Sequence, residues 1–136
     1  MNKTVIRLIG AAIAAALALA VISMGEIYQV AIGSTVGLIS VVLLIISRLQ
    51  LGKSFSVMPQ ARTLVATGLY SKIQHPMYVF LDLFFVSLIV AFDLPILIFA
   101  WGIVVIVQTV QSRQEERILA IAFGADYEAY RNRTWF

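Results

Sequence analysis

The sequence predicts an all-α fold, a polytopic membrane helical bundle of four transmembrane helices with a polar region gathered on one side. Three observations carry this expectation. Of 136 residues, 61% are hydrophobic and only 12% charged, with a mean hydropathy of +0.95, whereas soluble domains are about 45–50% apolar and about 25% charged. The apolar residues fall in four runs, approximately 8–24, 27–47, 77–92 and 95–111. The 10 Lys and Arg are confined to the segments before the first run, between the second and third, and after the fourth.

The same composition excludes several function classes. Residues 1–136 suit one domain, and the net charge of +3 reflects where the basic residues sit, since no basic stripe is interleaved with exposed aromatics as nucleic-acid binding requires. Absence of cysteine removes disulfides, thiolate metal sites and a cysteine nucleophile. With a single histidine as well, no metal site is expected.

The first run, Leu8 to Met24, is rich in Ala, Leu and Ile and follows Lys3 and Arg7. A basic start and an apolar, small-residue stretch also fit a secretory leader. Its length, near the ~17-residue lower limit for crossing a bilayer, and the second run close behind it favour a membrane helix. Gly25-Glu26 makes a tight connection to the second run, Ile27 to Ser47, in which Gly33 and Gly37 lie four apart. That spacing suits close approach of the first two spans, or equally a glycine-tolerant face turned to lipid.

Residues 48–74 mix the cations Arg48, Lys53, Arg62 and Lys72 with Leu49, Leu51, Phe55, Val57, Met58, Leu64 and Val65, as in a segment that lies on a membrane surface and packs onto the bundle. The third run, Met77 to Phe92, is broken by Asp93-Leu94-Pro95, with the proline placed for the first turn of the next helix. The fourth run continues as a helix beyond the bilayer to Ala122. Gly124 is the expected stop, and Asp126 the expected cap of a short helix carrying Tyr127 and Tyr130. With both termini cytoplasmic, all 10 Lys and Arg lie on the inner side, in the N-terminal tail and in segments 48–76 and 112–136, while the outer turns keep only Glu26 and Asp93. This arrangement obeys the positive-inside rule, and the compact size points to a prokaryotic inner membrane.

Chemistry is expected on the inner side. His75 to Asp93 rises about 27 Å as a helix and Pro95 to Glu116 about 32 Å, so the hairpin returns Glu115 and Glu116 to the level of His75. Arg113, Arg117, Tyr70, Tyr78, Tyr127 and Tyr130 gather there too. Such a group is also what a snorkelling belt of interfacial aromatic and basic residues would look like. Glu116, Phe123, Tyr127 and Tyr130 recur at helical spacings, which puts a carboxylate and aromatics on one face. That face serves a site or packs against 48–76. Asp82, about one and a half turns into the third run, is costly in lipid and is expected either to face the bundle and pair with a basic group or to snorkel outward, the structural role being favoured.

Several motifs in fixed order carry a resemblance. Leu51-Gly52-Lys53-Ser54-Phe55, Leu64-Val65-Ala66-Thr67-Gly68-Leu69-Tyr70, His75-Pro76-Met77-Tyr78, Glu115-Glu116, Leu119, Phe123-Gly124, Tyr127 and Tyr130 together resemble the isoprenylcysteine carboxyl methyltransferase family, related to the integral-membrane phospholipid N-methyltransferases. The match covers roughly residues 49–131. It implies an S-adenosylmethionine-dependent methyltransferase whose acceptor is a lipophilic small molecule or lipidated group reached from the membrane lipids. It also implies a cytoplasmic cofactor region formed by the third and fourth helices, the flanking loop and the C-terminal helix. Carried over by motif, His75, Pro76, Tyr78, Glu115 and Glu116 line the cofactor site and Gly68 and Tyr70 shape its entrance. Glu116 is the candidate base for an amine acceptor, and Arg113, with Arg117 or Arg131, the candidate for holding an acceptor carboxylate or phosphate. The chain departs from the family at Gln74, where arginine usually precedes His-Pro, at Leu69, where proline often follows the glycine, and at Gln111, where a basic residue is common. These departures bear on the acceptor more than on the cofactor. Two other classes compete with this reading. One is a small transporter or scaffolding subunit, for which Asp82 is the sole embedded acid; the other is a membrane oxidoreductase using a nicotinamide nucleotide.

Overall fold

The computed structural model describes residues 3–52, 64–94 and 96–135. Among them are five α-helices and no strand: α1 (Lys3–Ile22), α2 (Glu26–Leu51), α3 (Pro76–Phe92), α4 (Leu97–Phe123) and α5 (Ala125–Arg133), with a 3-10 turn at Gly68–Ser71. The surface reading of 53–63 and the placement of Pro95 in a first turn fall outside the described residues.

Helices α1, over Thr4–Ile22, and α2, over Glu26–Leu51, are long and apolar enough to cross a bilayer, whereas α3 is a shorter apolar helix. At 27 residues, α4 is about 40 Å long, and its apolar sequence gives way to polar at Gln108. It ends at Gly124, as expected, where φ is +49°. Asp126 does not cap α5. The helix begins one residue earlier, so Asp126 and Glu128 stand inside its first turn, where their charge complements the helix dipole. The α3–α4 turn reverses at Asp93, in the left-handed region at φ 50° with its N–H on the Ile89 carbonyl, a conformation Asp tolerates better than most residues.

Packing inverts the polarity of a soluble protein. The buried residues of α2 are Gln29, Gly33, Gly37, Ser40 and Ser47, whereas Leu38 and Leu49 on its outer side are 69% and 73% exposed. This stripe lies along α3. A Cβ added to Gly33 would stand 2.7 Å from the Ala91 backbone nitrogen, and one on Gly37 would stand 2.7 Å from Ser87 Oγ. The glycine pair therefore brings α2 onto α3 rather than onto α1, because the facing positions Ser87 and Ala91 are also small. The serine hydroxyls are satisfied within their own helices, Ser40 on Val36 and Ser47 on Leu43, so burying them leaves no orphan donor. On the other side of α3, Ala18 of α1 and Val86, Ile89 and Val90 pack around Trp101 of α4.

Candidate active site

Three elements converge at the N-terminal end of α3. His75 caps that helix, with Pro76 in its first turn, where proline loses no hydrogen bond. The segment before it is held from both sides. Gly68, at φ +59°, begins the 3-10 turn, whose Leu69 N–H bonds Gln50 Oε1 at 2.8 Å. A Cβ at Gly68 would also meet that same Gln50 amide, so the positive φ favours glycine here and a side chain would displace the amide that holds Leu69. From the other side, the Trp135 N–H bonds the Lys72 carbonyl at 2.8 Å and buried Gln74 donates to the Tyr127 hydroxyl.

The hairpin brings Glu115 and Glu116 to His75, as its lengths require. His75 Nδ1 lies 3.3 Å from Glu115 Oε2, and Nε2 lies 3.6 Å from Glu116 Oε1. The second separation exceeds a hydrogen bond, leaving Nε2 buried without a hydrogen-bond partner. Tyr78 stacks on His75 at 5.5 Å between ring centroids and donates its hydroxyl to Glu115 Oε1 at 2.7 Å. Tyr127 is 1% exposed, and Tyr70 and Tyr130 are buried as well.

Electrostatics differ between the groups of the cluster. Burial pushes the Glu116 carboxyl up, but His75, Arg7 and Arg131 together outweigh it and hold the group below its ordinary value. Burial, aided by the Glu115 charge, pushes the Tyr70 hydroxyl up to about 12. Burial and then Glu116 do the same for Tyr127, also to about 12.

One partner in this cluster was not singled out from the sequence. Arg7 of α1 reaches Glu116 Oε1 at 3.3 Å through Nη2 and donates to buried Ser112 through Nη1. The available signal was its position: with Gly10, Ala11 and Ala14 it forms one face of α1 at helical spacing. Arg113, by contrast, is exposed and donates to Thr4 Oγ1 at 3.3 Å, away from the acid pair. Arg117 is exposed too, and Arg131 Nη2 lies 4.0 Å from Glu116 Oε2. Gly68 lies at the docking point on α2 rather than among the acids.

From this cluster a cavity of roughly 230 Å³ runs between α1, α3 and α4, with Arg7, His75 and Tyr78 at one end and walls that include Ala14, Val86 and Val105. Asp82 lines it farther along. It faces the bundle, as the first of its two expectations held, but its partners are neutral: Trp101 Nε1 at 3.1 Å and, with the Gln108 amide nitrogen turned to the carboxylate, contacts at 2.9 and 3.1 Å.

Helices with exposed apolar faces, two of them long enough to cross a bilayer, around a charged cluster beside an apolar cavity fit a class: a membrane protein. Compared with known families, residues 21–126 match the one described as phospholipid methyltransferase. The chain belongs to that family and is by class a membrane methyltransferase for a lipid-like substrate, within the kinship expected from its motifs. No curated protein and no solved structure matches the chain.

Proposed function

We propose that the protein transfers a methyl group from S-adenosylmethionine to a lipophilic, membrane-partitioned acceptor, a prenylcysteine-like carboxylate or a lipid head group, at the cytoplasmic face. The observation that carries this is that His75, in contact with both Glu115 and Glu116, itself lines the end of an apolar cavity. In this reading α1 to α4 all span the membrane, with both termini inside, as the distribution of Lys and Arg favours.

The residues present fit the cofactor. Glu115 and Glu116 offer carboxylate oxygens to an ammonium or a ribose diol through charge-assisted hydrogen bonds. His75 Nε2, buried and without a hydrogen-bond partner, offers a ring nitrogen to a further polar group, and the Tyr78 and Tyr70 rings offer faces to a cation. When bound, S-adenosylmethionine supplies an electrophilic methyl group on a sulfonium. The chain's own contribution is to hold the acceptor in line and keep water out, and such positioning can lower a barrier by ~7–11 kcal/mol. Because Glu116 is held below its ordinary pKa, it is a weak base, and general-base catalysis falls off when the base is much weaker than the operating pH demands. That favours an acceptor already ionised, such as a carboxylate, over an amine that must lose a proton. Arg113, bonded to Thr4, gets no support as a group acting on the acceptor.

The test is equilibrium binding of S-adenosylmethionine, and of its demethylated product, to protein in neutral detergent or lipid. Binding in the micromolar range, weakened at least about tenfold by Glu116→Gln or His75→Ala, is the expected result, given ~1.5–3 kcal/mol for a hydrogen bond to a charged group. Absence of binding in lipid, or stronger binding of a nicotinamide nucleotide, would sink the proposal.

A further inference from the structure

The cavity has an electrical direction that the acid pair hides. Among the described residues, the ionisable side chains lining it at its inner end are Arg7, His75 and Tyr78, while the neutral Thr109 and Gln108 also line it. Glu115 and Glu116 stand behind these three and do not line it. Deeper in, the ionisable lining group is Asp82, seven residues from His75 and therefore about 10 Å along the helix. A lipophile entering this cavity meets a guanidinium at one end and a carboxylate further in.

We propose that Arg7 selects the acceptor by binding the oxyanion, carboxylate or phosphate, of a single-tailed anionic lipophile whose tail lies in the cavity along Arg7, Gly10, Ala11 and Ala14. This deepens the methyltransferase reading and rests on it for the name acceptor, though not for the binding itself. Arg7 is 16% exposed at the side chain and spends one Nη on Ser112 and the other on Glu116, which leaves further N–H donors of a five-donor fork whose geometry suits an oxyanion. His75 lines the same end, and its buried Nε2, 3.6 Å from Glu116 Oε1, has no hydrogen-bond partner. Asp82, already bonded to Trp101 and Gln108, repels an anion and so keeps the head group at the Arg7 end. At roughly 230 Å³ the cavity is smaller than the about 300–1,000 Å³ that encloses a drug-sized ligand. Its space therefore suits one narrow chain better than a pair of acyl tails. Arg7 and the α1 wall also lie outside residues 21–126 matched by the family, so the selectivity is a property of this chain rather than of the shared stretch.

The experiment measures displacement of a fluorescent alkyl probe from the protein in neutral nanodiscs, without cofactor, by dodecyl phosphate, dodecanoate, dodecanol and a diacyl phosphatidate. The wild-type protein is expected to bind the two single-chain anions about 10- to 100-fold more tightly than dodecanol, and the diacyl lipid no better than dodecanol. The stronger of the two anions identifies the head-group chemistry. Arg7→Gln removes the preference for anions, and Arg7→Lys keeps part of it. Glu116→Gln raises affinity for the anions, because it removes the carboxylate that competes for Arg7. Gly10→Leu, at a position where an added Cβ meets nothing within 4 Å, fills the cavity and weakens all single-chain probes. Equal binding of anion and alcohol by the wild-type protein overturns the proposal without reference to any variant, as does diacyl phosphatidate binding as tightly as dodecyl phosphate. An unaltered preference in a folded Arg7→Gln protein, or no effect of Gly10→Leu, also overturns it. None of these outcomes depends on cofactor binding, so failure here leaves the methyltransferase reading standing, and failure of cofactor binding leaves Arg7 selectivity to be judged by itself.

Discussion

Replacing Gly33 by alanine tests the closest helix crossing in the protein. The new Cβ would lie 2.7 Å from the Ala91 nitrogen and 2.8 Å from both its Cα and its Cβ, against the about 3.5–4.0 Å at which carbon atoms rest. Two of those three atoms are backbone, so no rotamer relieves the contact, and α2 must move from α3 by nearly an ångström. Overpacking of this kind costs about 1–3 kcal/mol, here toward the upper end because rigid backbone is met. The gain in helix propensity from glycine to alanine returns about 0.8–1 kcal/mol. The expected net loss is about 1–2 kcal/mol. Gly37→Ala meets only Ser87 Oγ at 2.7 Å, with Ser87 Cβ at a comfortable 3.5 Å. Turning that hydroxyl away from the Phe84 carbonyl it now bonds costs about 1 kcal/mol, so this change is close to neutral. Gly102→Ala meets nothing within 4 Å and should stabilise by the propensity term alone. Unfolding in mixed detergent micelles, followed by helical circular dichroism, ranks the three. If Gly33→Ala proves as stable as Gly102→Ala, α2 and α3 do not cross at these residues.

Titration should reveal the site from both ends of the pH scale. Glu116 has a folded pKa below its ordinary 4.5, so the stability it contributes is present above about 4.5 and lost as pH falls through the folded value; an acid-induced loss of melting temperature, flattened in Glu116→Gln, checks this. Tyr70 and Tyr127 have folded values raised from 10 to about 12, so stability is full below 10 and declines between 10 and about 12, with their phenolate absorbance appearing late in the folded protein and at the ordinary pH once it is unfolded. Tyr127→Phe removes the oxygen that accepts from buried Gln74 and should cost about 1–3 kcal/mol in micellar unfolding; no loss would mean that α5 does not anchor the His75 segment. Arg113→Ala, at an exposed residue bonded to Thr4, should change stability by no more than about 0.5 kcal/mol and leave methyl transfer unchanged, whereas a large fall in transfer would return Arg113 to the site.

Much of this architecture was legible because hydropathy and helical rise are long-range rulers. The hairpin lengths alone put His75 level with Glu115 and Glu116, and Pro76 before an apolar run announced the start of α3. What escaped was azimuth. Arg113 and Ser112 are neighbours in sequence, yet only Ser112 turns inward, and no clear amphipathic pattern on α4 marks which face meets α1. Arg7 was hidden for a related reason: at the edge of an apolar run its charge reads as a topology signal, and its pairing with Glu116 spans 109 positions. Gly33 and Gly37 were visible as a close-packing pair, but spacing cannot name the partner, and the small residues that receive them, Ser87 and Ala91, lie on a helix with no strong sequence pattern of its own. Asp82 was legible as a candidate to face the bundle; its neutral partners Trp101 and Gln108 were not, since only a basic partner was expected.

The stripe of Gln29, Gly33, Gly37, Ser40 and Ser47 on α2 has a consequence for how the protein should be mapped genetically. Alanine scanning finds cores by trimming large side chains, and on this helix the large side chains face lipid while the contact surface is already trimmed. Apart from Gly33, where alanine adds a Cβ against the Ala91 backbone rather than trimming anything, such a scan would report α2 as almost indifferent to substitution. A leucine scan reverses the contrast: it should leave the outer positions functional and disable the stripe, so that the helix's structural information is read from the side chains it refuses to carry.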